Sequence, residues 1–204
     1  MKLIGLNRSP FVRRTAIGLR LMEFEFDHEQ ISAFRQAEAF SHYNPMLKAP
    51  VMVLEGGQVL VESGSILDYF ERRPDKARSL FPAGENDLVR CLRVTGISLA
   101  AADKANWLIH DRFMREPNLR DEPGAARWEM QVRAGLAMLE RDYSRSEDWL
   151  CDGEMKLADI TVACMLSTLD FALQGLIDIA EFPKVHAVWR KAETLDLFKE
   201  LPLS

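Results

Sequence analysis

The stretch "VMVLEGGQVLVESGSILDYFERR" (residues 51–73) decides the fold. Two runs rich in β-branched and aliphatic residues, 51–55 and 58–62, meet across Gly56-Gly57, which is the pattern of a β-hairpin. Residues 63–73 then carry Ile66, Leu67 and Phe70 at helical spacing, with Ser63 expected as the N-cap. A hairpin therefore feeds directly into a helix.

Toward the N-terminus, "KLIGL" (2–6) reads as a buried strand and 10–22 as a helix with Ile17 and Leu21 four apart. "FEFDHE" (24–29) alternates as a half-buried strand does, and "SAFRQAEAF" (32–40) suits a short helix stopped by Asn44-Pro45. The order β-α-β-α-β-β-α predicts a small mixed sheet covered by helices, which resembles a thioredoxin-like domain over residues 1–75. Pro74 and "LFPAGEND" (80–87) read as a linker. Strand signals then vanish, and helical patterns run over 87–115, 122–145, 156–173 and 182–201. The segment 156–173 is the most apolar and is expected in the core. The predicted architecture is an α/β N-terminal domain followed by an all-α C-terminal domain over 84–204.

Composition bounds the function. The chain has 204 residues, 48% hydrophobic and 28% charged, with a net charge of −5, which argues against a nucleic-acid partner because phosphate binding needs a cationic face. Cys91, Cys151 and Cys164 are odd in number and form no Cys-x-x-Cys pair, so neither a disulfide framework nor a metal site is expected. The opening apolar run turns polar at Asn7-Arg8, too early for a signal segment, and no apolar run is long enough for a membrane helix. A cytoplasmic location with reduced thiols is expected.

Three motifs carry chemistry. "SPFVRR" (9–14) sets Ser9 and Pro10 at a strand-to-helix corner, where the hydroxyl either caps the helix or faces a ligand. "NPMLKAPVMV" (44–53) places Lys48, Ala49 and Pro50 before a strand. "VESGSILDYFE" (61–71) ends a strand on Glu62 and opens a helix at Ser63, pairing a carboxylate with a helix N-terminus. Together, across essentially the whole chain, they resemble the soluble glutathione transferase superfamily, with the first motif similar to the Ser-Pro-Phe start of the plant tau class and its bacterial relatives. The omega class places a cysteine where Ser9 stands.

The resemblance implies a role for each residue. Ser9 donates to the glutathione sulfur and stabilises the thiolate, the form that reacts. Pro50 follows a cis bond, and the Ala49 backbone pairs with the cysteinyl part of glutathione like an added strand. Lys48, with His42 as a neighbouring candidate, faces the glycyl carboxylate. Glu62 pairs with the γ-glutamyl ammonium, and the Ser63 hydroxyl and N–H receive its carboxylate. Arg13 and Arg14 are expected to support the fold or a dimer interface. Phe11, Trp107 and His110 are candidates for lining an electrophile pocket between the domains, with Phe113, Trp189 and Phe198 as weaker ones. In the helical part, Asp159 matches the family's capping box, while Lys156 stands where a Ser or Thr is usual.

The implied activity is conjugation of the glutathione thiolate to small apolar electrophiles, as in detoxification. Glutathione is the cosubstrate, with no metal or organic cofactor, and the expected assembly is a homodimer. Thiol-dependent isomerisation, dehalogenation or peroxide reduction begins from the same thiolate. A regulatory binding protein of the same fold is the reading from a different class. Reductase chemistry through a mixed disulfide is disfavoured, because Ser9 replaces the cysteine it needs.

Overall fold

The computed structural model describes residues 1–146, 148–151 and 153–203. They fall into two compact units, Met1–Leu80 with Glu193–Ser204, and Phe81–Ala192.

In the first unit, β1 (Lys2–Ile4), α1 (Pro10–Leu21), β2 (Asp27–Glu29), α2 (Ala37–Ser41), β3 (Val51–Val53), β4 (Val59–Val61) and α3 (Ser63–Glu71) follow in the expected order. The sheet order is β2-β1-β3-β4. β1 runs parallel to β2, as a crossover through α1 requires, and antiparallel to β3, which pairs antiparallel with β4. The hairpin turn is closed by Gly57, whose φ of +80° suits glycine and whose N–H donates to the Leu54 carbonyl at 2.9 Å.

Each strand is three residues long, shorter than its apolar pattern. β1 stops because Gly5 turns to a φ of +135°, and a Cβ there would sit 2.6 Å from Val12 Cγ2. Close approach of the sheet to the start of α1 thus needs the bare glycine backbone. The helix predicted over 32–40 reduces to α2. Upstream, the Ser32 hydroxyl accepts from the Phe34 and Arg35 amides and the Gln36 side chain accepts from the Ser32 amide, the side-chain bonds of a helix start, but regular helix begins only at Ala37. Ile4, Phe40 and Val51 form a buried cluster against which Ala49, Tyr43 and Val61 pack.

The closing pattern over 182–201 breaks at Leu195, whose backbone is extended, giving α7 (Pro183–Thr194) and α8 (Asp196–Lys199). The stretch from Glu193 packs with the sheet unit, although the sequence placed all of 84–204 in the helical part. Arg13, 1% exposed, explains this. Its guanidinium forms a two-pronged pair with Glu193 at 2.5 and 2.9 Å, donates to the Leu201 carbonyl at 2.8 Å and lies over the Phe198 ring.

In the second unit, α4 (Glu85–Ile109) continues into a π-helical turn, His110–Met114. α5 (Glu122–Tyr143) and α6 (Leu157–Ala172) follow, and every residue of α6 from Leu157 to Leu169 is buried, as its apolar sequence predicts. Asp159 is wholly buried at the start of α6 and accepts from the Lys156 and Leu150 amides and the Tyr143 hydroxyl. The Lys156 ammonium has no lone pair to offer the helix and bonds Glu154 at 3.0 Å instead. Among the described residues no helix is long and apolar enough to cross a membrane, and no cluster of three or more His, Cys, Asp and Glu could hold a metal ion.

Candidate functional site

The sheet register gathers the three motifs. Ile4 pairs with Val51, and Val51 with Val61, so the residues that follow β1, precede β3 and follow β4 share one end of the sheet. The Glu62 N–H donates to the Pro50 carbonyl at 3.4 Å, and the Cβ direction at Gly5 meets Ala49.

Ser9 is the N-cap of α1 and Pro10 its first residue, a position where the missing N–H costs nothing. The Ser9 hydroxyl accepts from the Val12 amide at 3.4 Å. That long bond engages a lone pair and not the proton. Half-buried at the positive end of α1, Ser9 can cap the helix and still aim its O–H at a bound atom. The two readings of the Ser-Pro pair are compatible.

The Ala49–Pro50 bond is cis. Ala49 is half-buried and lies before β3, so its N–H and C=O stand outside the sheet's ladders. Asn44, the helix stop and first residue of the second motif, pins this loop. It is 4% exposed, donates to the Lys48 carbonyl at 2.9 Å and accepts from the Met46 amide at 3.0 Å. The Lys48 and His42 side chains are exposed.

At the start of α3 the structure corrects one expectation. Glu62, not Ser63, is the N-cap, and Ser63 is the first helical residue. The Glu62 backbone has a φ of +74°, uncommon for a residue with a side chain. Its carboxylate accepts from the Gly64 amide at 2.9 Å, the Ser65 amide at 3.2 Å and the Ser63 hydroxyl at 2.9 Å. Burial pushes the Glu62 carboxyl up, but the Gly64 N–H, the Ser63 hydroxyl, the Ser65 N–H and the Arg14 charge outweigh it and hold it below the usual carboxylate range. Ser63 is fully buried and also receives a hydrogen bond from Arg14 Nη1 at 2.7 Å. The cap serves Gly64 and Ser65, so the Ser63 N–H is the first-turn amide that Glu62 does not use.

Arg14 was left outside the site by the sequence reading. It is 1% exposed on α1, and the available signal was an arginine inside a helix that is buried from Val12 to Leu19. Phe11 is half-buried on α1 in the first unit. In the second unit Trp107 is 51% exposed and stacks on Trp128 with ring centroids 6.1 Å apart, and His110 is half-buried where α4 passes into its π turn. Phe113 is exposed on that turn. The other two weaker candidates are packing residues: Trp189 is buried and donates to Ser167, and Phe198 is fully buried beneath Arg13.

Family models match both parts of the chain, "Glutathione S-transferase, N-terminal domain" over residues 3–78 and "Glutathione S-transferase, C-terminal domain" over 122–189. The GST-like protein YibF of Escherichia coli (strain K12) is 31% identical over 178 residues, covering 84% of this chain and 83% of the relative. A glutathione S-transferase of Methylobacterium radiotolerans in complex with glutathione sulfonate superposes with a TM-score of 0.90 at 23% identity, covering 100% of this chain and 95% of that one. One from Methylobacillus flagellatus with glutathione bound gives 0.88 at 22% identity, covering 100% and 99%.

Proposed function

Because the chain belongs to the glutathione S-transferase family, we propose that it binds glutathione at this end of the sheet and turns the bound thiolate on small apolar electrophiles. The observation that carries the reading is the register, which brings Ser9, Ala49-Pro50 and Glu62-Ser63 to one edge from segments far apart in sequence.

The Ala49 backbone, outside the ladders, pairs with the cysteinyl residue in the manner of an added strand. That pairing directs the sulfur toward Ser9. The Ser9 O–H donates to the thiolate, and the N-terminus of α1 adds partial positive charge, so the ionised form is present at neutral pH. The thiolate then attacks the electrophilic carbon. A sulfur–carbon bond forms, and the leaving group departs with its electron pair or, in an addition, the adjacent atom takes up a proton. Glu62, held ionised, attracts the γ-glutamyl ammonium. The Ser63 N–H and hydroxyl receive the neighbouring carboxylate at the start of α3. Lys48 extends toward the glycyl carboxylate. The exposed Trp107 face, backed by Trp128, and the side chains of Phe11 and His110 are the apolar contacts proposed for the electrophile. Glutathione is the only cosubstrate this scheme needs. Action in the cytoplasm as a homodimer with a detoxifying role extends the proposal by analogy with the family.

Calorimetric titration with glutathione tests it. Wild type is expected to bind, and Ser63→Ala to bind much more weakly. Absence of wild-type binding at millimolar glutathione overturns the reading and favours a binding module of the same fold.

A further inference from the structure

The Ser63 hydroxyl has one proton and two lone pairs. A guanidinium is donor-only, so the Arg14 Nη1 at 2.7 Å occupies a lone pair and the serine proton cannot point back at it. The proton must point to an acceptor on the other side: Glu62 Oε1 receives it at 2.9 Å, and in the proposed complex the ligand's carboxylate takes it instead. Arg14 reaches this position from α1, forty-nine residues away in sequence, and it is 1% exposed. Its charge is therefore little screened by water and lies directly behind the first residue of α3.

We propose that Arg14 is a positioning residue for the ligand's α-carboxylate: it locks Ser63 as a donor and sets a buried cation behind the helix N-terminus where that carboxylate is received. The inference rests on the glutathione reading and adds a residue that the sequence assigned to fold support. Arg14 touches no part of the ligand in this scheme. It acts through Ser63. Without it, the serine hydroxyl is free to rotate its proton inward, and the helix start faces the carboxylate alone.

A merely structural arginine, filling the space between α1 and α3, would affect every ligand equally. The discriminating probes are therefore glutathione and 4-aminobutyryl-cysteinyl-glycine, the same tripeptide without the α-carboxylate of its first residue. The measurement is calorimetric affinity of wild type and Arg14→Met for both, with thermal melts to verify folding. Arg14→Met is expected to bind glutathione about 10- to 100-fold more weakly, the range for a hydrogen bond to a charged group, and to bind the decarboxylated peptide within about twofold of wild type. Arg14→Lys, which keeps a donor-only cation, is expected to restore most of the glutathione affinity. If Arg14→Met does not fold, Arg14→Gln takes its place with the same expected selectivity, because its amide can accept the serine proton and carries no charge. Equal losses for both peptides, or no loss for either, in a protein whose wild type binds glutathione, overturn the role of Arg14 alone. Failure of the wild type to bind glutathione overturns the underlying reading as well.

Discussion

Ser9→Ala removes one hydroxyl from the N-cap of α1, and it is expected to change reactivity far more than stability. Replacing a capping serine by alanine costs about 0.5–2 kcal/mol, and the 3.4 Å separation between Ser9 Oγ and the Val12 nitrogen puts this cap at the low end, about 0.5 kcal/mol. For a chain of this length that lowers the melting temperature by only about 1–2 °C. A hydrogen bond to a charged atom contributes about 1.5–3 kcal/mol, so the acid constant of the bound thiol should fall roughly 10- to 100-fold, and with a free-thiol pKa of about 8.5 the thiolate at pH 7 becomes at most about 30-fold scarcer. The sign follows from the direction of the shift. Ser9 lowers the pKa of the bound thiol, so its loss moves the titration up toward the free-thiol value of about 8.5, and activity lost at neutral pH returns as the pH rises past that point. The assay is thiolate absorbance against pH at saturating glutathione, with a parallel pH–rate profile and a melt. A variant that melts several degrees lower but titrates like wild type would refute the reasoning and leave Ser9 as a helix cap alone.

Two further predictions concern caps. Lys156→Thr supplies an acceptor that the ammonium cannot, and should stabilise the protein by about 0.5–2 kcal/mol in a melting comparison; no gain would count against matching 156–159 to the family's capping box. The Glu62 carboxyl is held low in the folded protein, so its contribution to stability is present above its ordinary value near 4.5 and fades as the pH falls through its lower folded value. Glu62→Gln should flatten that acid limb in denaturant titrations, and an unchanged limb would show that the α3 cap carries no such linkage.

The hairpin was legible because Gly56-Gly57 and the flanking branched residues state a local rule, and the fold followed from what surrounds it. The N-cap of α3 was not legible. Serine is the better cap by propensity, but Arg14, distant in sequence, engages its hydroxyl and leaves the cap to Glu62. The helix expected over 32–40 shortens to Ala37–Ser41: Ser32 and Gln36 bond first-turn amides, but regular helix follows only from Ala37. Ser9, Ala49-Pro50 and Glu62-Ser63 could be nominated from motifs. Arg14 could not, because Ser63, forty-nine residues away, becomes its neighbour only once the chain has folded.

The grip of Arg13 on Leu201 and Glu193 spans some 180 residues of chain. Ser9 lies one turn before Arg13 on the same helix, and the Ser9 carbonyl accepts from the Arg13 amide. During synthesis, then, the helix that carries Ser9 emerges long before the segment that fastens it. The nascent protein can form its sheet and hairpin early, yet α1 is not fully anchored until residues 193–201 have left the ribosome. A chain cut before Glu193 would keep the residues of the sheet and lose the grip on the helix that carries Ser9.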